Sequence, residues 1–325
     1  MEPARELLYL SREDIEGLGL SMARIVEAVE DSLVQKGSGN VEMPPKPGIH
    51  TRPGAFIHAM PAYIRTTGAA GLKWVGGYPG NSARGLPYIT GLMILNDPES
   101  GVPLAVMDAT WITAIRTGAA TAVSARHLAR RDSLTAAILG CGVQGRSNLE
   151  ALKVVLPELR EIRVYDVRLE AAHAFARECV KRHELSCTVC ASPRQAVRTA
   201  DVVVTAGPMP SPPAPVIEPD WLADGVFVCV LDFDAYVTPA AFHAADLLVT
   251  DDVAQLDYYR SVGYFKGLPP VLSELSDVVR GRGGRRKEEQ RVISVNLGLG
   301  AEDVATAQLI YTSALDQGVG TVLPL

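Results

Sequence analysis

The sequence has no excess of positive charge, no long apolar run and no complete set of paired cysteines, and each lack excludes a class of protein. Lys and Arg number 31 against 37 Asp and Glu, a net charge of −6 spread along the chain, which argues against nucleic acid or an anionic membrane as a partner. No apolar run approaches the ~20 residues of a membrane span. The segment Met1-Glu2-Pro3-Ala4-Arg5-Glu6 lacks the apolar core of a secretory signal. The five cysteines, at 141, 179, 187, 190 and 229, are odd in number. Cys187 and Cys190 form a CxxC, but no second pair and no suitably spaced histidines complete a zinc site, so no metal is expected. These features place the chain in a reducing cytoplasm. What it does have is 47% hydrophobic and 21% charged residues over 325 positions, a globular composition with room for two domains.

One segment carries most of the information. Leu134 to Leu139 reads as a buried strand running into Gly140-Cys141-Gly142-Val143-Gln144-Gly145; the amphipathic stretch Arg146 to Leu156 follows, then a strand Glu161 to Tyr165 ending on Asp166. Strand, glycine turn, helix, strand and acid come in the order a dinucleotide site requires. Gly140 allows the tight turn, Gly142 lets the backbone approach a pyrophosphate, and Gly145 lets helix and strand pack closely. Phosphates then sit on the unsatisfied N–H groups and positive end of the helix, while Asp166 meets the adenosine ribose. The bland alternative is a tight strand–helix turn with no ligand. Cys141 reads as a small filler of the turn.

Around this segment the rhythm changes. Ser11 with Asp14, and then Ser21, look like helix caps, and a helix with Ile25, Val29 and Leu33 on one stripe stops at Gly37. After a loop rich in proline and glycine, short strand candidates at 55–59, 71–75, 89–95 and 104–107 suggest an antiparallel sheet, and 110–130 reads as one long helix of small residues. From Leu134 onward strands and helices alternate, with strands at 136–139, 163–165, 188–189, 202–205, 227–230 and 247–249. Helices include 169–183 and one opening at Ser192-Pro193. Six parallel strands with helical crossovers make a doubly wound sheet. The stretch 280–291 reads as a solvated loop, and 302–315 as a helix returning to the first domain. The expected division is 1–116 with 304–325 against 117–303.

The residues suited to chemistry lie outside the glycine turn. Lys73 sits in an apolar, glycine-rich strand, and a lysine is costly to bury without a negative partner; it either points to water, or awaits a substrate carboxylate or polarises a C=O or C=N group. Arg116, among Ile, Thr, Gly and Ala, is aimed into a cleft to clamp an anion or forms an interdomain salt bridge. Asp232 follows the apolar strand at 227–231, at the carboxyl end where ligands of an open parallel sheet lie; it is a proton carrier or a turn cap. For Asp234 the cap is the favoured reading. Lys46, His50 and His58, each alone, are more often surface or structural than catalytic, and Trp74 and Trp111 read as core.

Together these pieces resemble the ornithine cyclodeaminase/mu-crystallin family, which includes archaeal-type alanine dehydrogenases and ketimine reductases. The resemblance runs nearly end to end, through Met60-Pro61, Gly71-Leu72-Lys73, Gly85-Leu86-Pro87, Asp108-Ala109-Thr110, Thr113-Ala114-Ile115-Arg116-Thr117-Gly118-Ala119, the glycine turn, Asp232, and Gly298 with Glu302-Asp303. It implies a Rossmann-type doubly wound parallel sheet domain for NAD, with an N-terminal α+β substrate and dimerisation domain completed by the C-terminal helix, in a homodimer. It also implies that Lys73, Lys46 and Arg116 bind the substrate, and that Asp232, as the acid/base, and Lys73 are catalytic. Tyr88, Arg116, Gly140, Gly142, Val143, Gln144, Gly145, Asp166, Thr205, Cys229, Leu231 and Asn296 then contact the cofactor, and Leu297 the substrate.

Two departures bear on the reaction. The cyclodeaminase has an acid where this chain has His58 and a lysine where it has Tyr236, both near the substrate, which puts diamino-acid cyclisation in doubt. Asp166 favours NAD, because it repels a 2′-phosphate, while Arg168 keeps NADP open. The preferred expectation is an oxidoreductase moving a hydride at the α-carbon of a small amino acid or its imine. A cyclodeaminase making proline and ammonia with catalytic NAD is the second reading, and a non-enzymatic crystallin-like nucleotide or small-ligand binder the third.

Overall fold

The computed structural model describes residues 6–209 and 213–325; the stretch Met1 to Arg5, read above for a secretory signal, lies outside them. The chain forms two compact units, Met1–Arg116 with Leu299–Leu325, and Thr117–Gly298.

The first unit opens with β1 (Glu6–Leu10), α1 (Arg12–Gly17) and α2 (Met22–Gly37). Ser11 and Asp14 cap α1 reciprocally: Ser11 Oγ accepts the Asp14 N–H at 3.2 Å and Asp14 accepts the Ser11 N–H at 2.8 Å. Short strands β2 (Val41–Glu42) and β3 (Gly48–Ile49) precede β4 (Phe56–Ile64), β5 (Ala69–Gly77), β6 (Ile89–Asn96) and β7 (Pro103–Asp108). β4 is longer than the sequence suggests, because it continues through Pro61. That residue falls between the patches where β2 and β3 pair with β4, and a sheet edge tolerates a missing N–H. The helix α3 (Ala109–Leu128), started by Asp108 accepting the Trp111 N–H at 2.8 Å, contains the division between the units.

The second unit alternates strands and α-helices, except that no α-helix is described between β11 and β12: β8 (Thr135–Leu139), α4 (Val143–Val155), β9 (Glu161–Tyr165), α5 (Leu169–His183), β10 (Ser186–Val189), α6 (Pro193–Val197), β11 (Val202–Thr205), β12 (Phe227–Val230), α7 (Pro239–His243), β13 (Leu247–Thr250), α8 (Val253–Ser261), β14 (Ser273–Glu274), α9 (Leu275–Val278) and β15 (Val292–Val295). All pairings are parallel, in the order β10-β9-β8-β11-β12-β15-β13-β14. From β8 the chain winds outward through β9 and β10 on one side and later through β11 and β12 on the other. The switch point therefore lies between β8 and β11. The sheet has eight strands where six were expected. β15, wedged between β12 and β13, is a four-residue run that is buried throughout, and so short a run has no periodicity to betray it.

The chain then returns to the first unit at Leu299, ahead of the expected 304, through α10 (Gly300–Gln317) and β16 (Thr321–Pro324). This sheet runs β16-β1-β7-β6-β5-β4-β2, with β3 also on β4. The four strands expected from the sequence, β4 to β7, pair antiparallel, and β1, which the sequence did not mark, adds one parallel pairing with β7. Register sorts its two faces. Met60, Lys73, Met93, Met107 and Leu10 form one row across the sheet, on the face that packs with α10 into the core. Ala59, Trp74 and Leu92 form a row on the other face. Trp74 is thus not a core residue: it is 42% exposed beside Leu92 at 48%.

Candidate functional site

At the switch point of the second unit, Gly140 ends β8 with φ of +105°, and a Cβ on it would meet the Ala206 carbonyl. A Cβ on Gly145 would collide with the Gly140 carbonyl, so the two glycines allow the turn to close on the strand. Gly142 is different: nothing lies within 4 Å of where its Cβ would stand. It is the N-cap of α4 and no side chain caps the helix there, while Val143 behind it is 66% exposed. The first N–H groups of α4 are thus left for another acceptor. Gln144 is half-buried in the same turn.

Asp166, just past β9, is held against the turn. One oxygen accepts the Cys141 N–H at 2.8 Å and the other the Arg168 N–H at 2.9 Å. The Arg168 guanidinium lies 3.7 Å away. Burial, reinforced by Asp166, pushes the Cys141 thiol up to about 12, so it stays protonated and inert. These features fit the dinucleotide that the motif implies: open helix N–H groups for the phosphates and a fixed carboxylate for a ribose.

Two strands away from the turn, Asp232 follows β12. Its Oδ1 accepts the Thr205 hydroxyl at 2.6 Å and its Oδ2 the Gly207 N–H at 3.2 Å. Burial outweighs these bonds and raises its pKa to about 7. The next residue, Phe233, is held at φ of +59° and packs edge-on against Tyr259 at 4.7 Å, so backbone strain adjoins the carboxylate. Tyr236 closes the same loop and abuts Gly207; burial and then Asp232 raise its hydroxyl to about 12. Asp234 accepts the Phe265 N–H at 2.7 Å, as a structural cap. Asn296, at the end of β15, accepts from Ser294 at 2.7 Å and donates to Ser124 at 3.0 Å. Cys229 has no exposed surface, and its sulfur meets Thr121 Oγ1 at 3.4 Å. Leu231 is half-buried at the end of β12, and Leu297 packs into the hydrophobic core of this unit.

The first unit gathers the cations. Lys73 does not point to water: it lies on the covered face of the sheet, wholly buried, with Nζ donating to Asp303 Oδ1 at 2.6 Å. Arg116 donates from Nε to the same Oδ1 at 2.9 Å and from Nη1 to Glu302 Oε2 at 3.0 Å. The expected salt bridge of Arg116 therefore exists, but inside one unit. Gly300 makes it reachable, since the first turn of α10 lies so close to β4 that a Cβ there would stand 2.9 Å from the Pro61 carbonyl. Glu302 also accepts the Leu299 N–H at 3.2 Å. Burial and the charge of Arg116 lower Lys73 to about 7 against the pull of Asp303, and burial raises Glu302.

Lys46, also buried, and His58 belong to this set. Register puts His58 on the Lys73 face of the sheet, its ring over Gly48 and stacked on Phe56 at 4.3 Å. Burial and then Lys46, His50 and Lys73 lower it to about 3, so it is neutral. Tyr88 lies half-buried ahead of β6, its carbonyl accepting the Tyr78 N–H at 2.9 Å. Glu302 and Asp303 are what sequence reasoning left without a role. Their signal was two acids among Ala301, Val304 and Ala307, on a helix face that has to be buried.

Comparison with known proteins agrees with this architecture. The chain is 36% identical to the nodulation efficiency protein NfeD of Rhizobium meliloti over 97% of this chain and 98% of that protein. Among solved structures it is similar to a Thermococcus litoralis Δ1-pyrroline-2-carboxylate reductase in complex with NADH and L-proline, at TM-score 0.89, 32% identity and coverage of 97% and 99%. It is also similar to an archaeal alanine dehydrogenase dimer with bound NAD, at 0.87, 35%, 98% and 99%. The model of the ornithine cyclodeaminase/mu-crystallin family matches residues 5–318. With a family match across nearly its whole length and an eight-stranded Rossmann-type sheet, the chain belongs to the ornithine cyclodeaminase/mu-crystallin family.

Proposed function

We propose that the protein is an NAD-dependent oxidoreductase that interconverts a small α-amino acid and its imine. The observation that carries this reading is Asp232, a buried carboxyl of pKa about 7 at the carboxyl end of a sheet whose glycine turn leaves helix N–H groups open. Gly140, Gly142, Val143, Gln144 and Gly145 hold the pyrophosphate and Asp166 the adenosine ribose. Thr205, Leu231, Asn296, Tyr88 and Arg116 complete the cofactor contacts. When bound, the nicotinamide supplies or accepts the hydride at the substrate α-carbon. Asp232 gives a proton to the substrate nitrogen or takes one from it, and a pKa near the working pH suits both directions. Lys46, Lys73 and Arg116 hold the substrate carboxylate. Since Lys73 has no exposed surface, its Nζ reaches a ligand only when a neighbouring side chain moves aside.

A substrate with a second ammonium would meet Lys46, Lys73 and a neutral His58 where an acid would serve it better, which favours an uncharged side chain and disfavours ornithine. By family resemblance, Tyr236 and Leu297 are assigned to substrate contact. Asp166 sets the preference for NAD over NADP. We assign the protein to the cytoplasm, where its five free cysteines stay reduced, and no helix of the described residues is long and apolar enough to cross a membrane. A homodimer is supported by the apolar outer face of the first unit's sheet and by the dimeric alanine dehydrogenase it resembles.

The test is a screen of purified protein with NADH and NADPH against cyclic imino acids and 2-oxo acids plus ammonia, and with NAD against alanine and proline, read at the nicotinamide absorbance. Turnover that prefers NADH supports the reading. No absorbance change with any pair refutes it, and proline released from ornithine without net NADH change would establish the cyclodeaminase instead.

A further inference from the structure

We propose that Asp303 is the positioning residue of the cationic cluster, a single carboxylate oxygen that pins Lys73 and Arg116 side by side. The inference rests on the assignment of those two cations to substrate binding, but the pinning itself stands on distances. Two cations share Oδ1 of one acid, at 2.6 and 2.9 Å. Glu302 takes the other side of the guanidinium at 3.0 Å. All four side chains are buried or nearly so, which strengthens each interaction and makes any unpaired member costly. Asp303 Oδ2 and Glu302 Oε1 are buried with no hydrogen-bond donor among the described residues.

The charges facing Lys73 come from every element around it. Arg116 on α3 and Lys46 ahead of β3 push its proton off, and a protonated His58 on β4 would add to them; Asp303 on α10 holds the proton on, with Glu302 beside it. Without Asp303, two cations would stand together in a dry site with nothing between them. Separated by 230 positions in the chain, Lys73 and Asp303 meet only because α10 packs on β5.

The experiment follows the Lys73 ammonium directly, in the full-length protein labelled with [15N]lysine, its Nζ resonance assigned by its loss in Lys73→Arg. In the unsubstituted protein the midpoint is expected near 7. Asp303→Asn is expected to lower it by about one pH unit or more, a tenfold change in proton affinity. Asp303→Glu, which restores the charge, is expected to bring it back, and Glu302→Gln to shift it less than Asp303→Asn. Should Asp303→Asn fail to fold, Arg116→Gln decides, because removing the competing cation is expected to raise the midpoint. An unmoved midpoint in Asp303→Asn, equal effects of Asn and Glu at 303, or no rise in Arg116→Gln overturns the proposal. The titration needs no substrate. An enzyme that turns over no amino or imino acid would therefore defeat the functional reading while leaving this one to be decided. If both hold, the high-pH limb of kcat/KM for amine oxidation moves down with the Lys73 midpoint.

Discussion

Thr205 donates its hydroxyl to Asp232 Oδ1 at 2.6 Å, from the last residue of β11 to a position just beyond β12. That bond favours the ionised carboxylate against the burial that disfavours it. Asp232→Asn is expected to keep NAD binding, measured by fluorescence titration, and to lower kcat by about 10²–10⁴-fold. Thr205→Val removes a donor to the ionised form, so the pKa of Asp232 rises further. In amine oxidation Asp232 must be ionised, and the rising limb of the pH–kcat/KM profile is expected to move up by about one unit. An unmoved limb would remove Asp232 as the proton acceptor.

Two buried groups imprint opposite pH dependences on stability. Asp232 holds its proton in the folded state up to about 7, whereas an unfolded aspartate releases it near 3.8. Its contribution is therefore full below 3.8 and is lost as pH rises through 7. Lys73 loses its proton near 7 when folded and near 10.5 when unfolded, so its burial costs most below 7 and is relieved as pH climbs toward 10.5. Urea unfolding at a series of pH values is expected to show Asp232→Asn gaining on the unsubstituted protein above pH 7, by on the order of 3 kcal/mol. The opposite slope for that variant would contradict the burial of Asp232 as a neutral acid.

The glycine turn separates a ligand requirement from a folding one. Gly142→Ala meets no atom within 4 Å and is expected to fold normally while weakening NAD binding tenfold or more, about 1.4 kcal/mol. Gly145→Ala collides with the Gly140 carbonyl and is expected to lower the melting temperature as well. Calorimetric binding beside thermal melts distinguishes the two. If Gly142→Ala binds NAD unchanged, the pyrophosphate does not lie there.

Trp74 and Leu92 stand in register on the outer face of the first unit's sheet, both exposed, with Tyr9 on the same face 39% exposed. Trp74→Glu and Leu92→Glu are expected to convert a homodimer into monomers in light scattering, with far-UV circular dichroism unchanged. A mass of one chain for the unsubstituted protein would sink the dimer outright.

Much of the fold was legible because its cues are local. The Ser11–Asp14 capping pair, the Ser21 and Ser192 caps, and α5 from Leu169 to His183 all stand where residues within one or two turns demand. The strands β1, β2, β3, β14, β15 and β16 were not legible, β2 and β3 lying in what reads as a loop at 38–52. β14 is two residues long, β15 has no periodicity, and β16 is exposed along its whole length, so nothing marks it as a strand except pairing with β1 at the other end of the chain. Lys73 and Trp74 show the limit most plainly. An apolar, glycine-rich strand does not say which face is covered, and the less intuitive assignment, lysine inward and tryptophan outward, follows from the packing of α10.

From the amino-acid order alone come the dinucleotide turn, the acid at 166, the alternation of strands and helices, and Asp232 at a strand's carboxyl end, because each depends on neighbours along the chain. Tertiary structure decided that Lys73 is buried against Asp303, that Arg116 bridges two acids on α10, and that Asp232 carries a pKa near 7. Those outcomes depend on burial and on charges brought from far along the chain, and local spacing encodes neither.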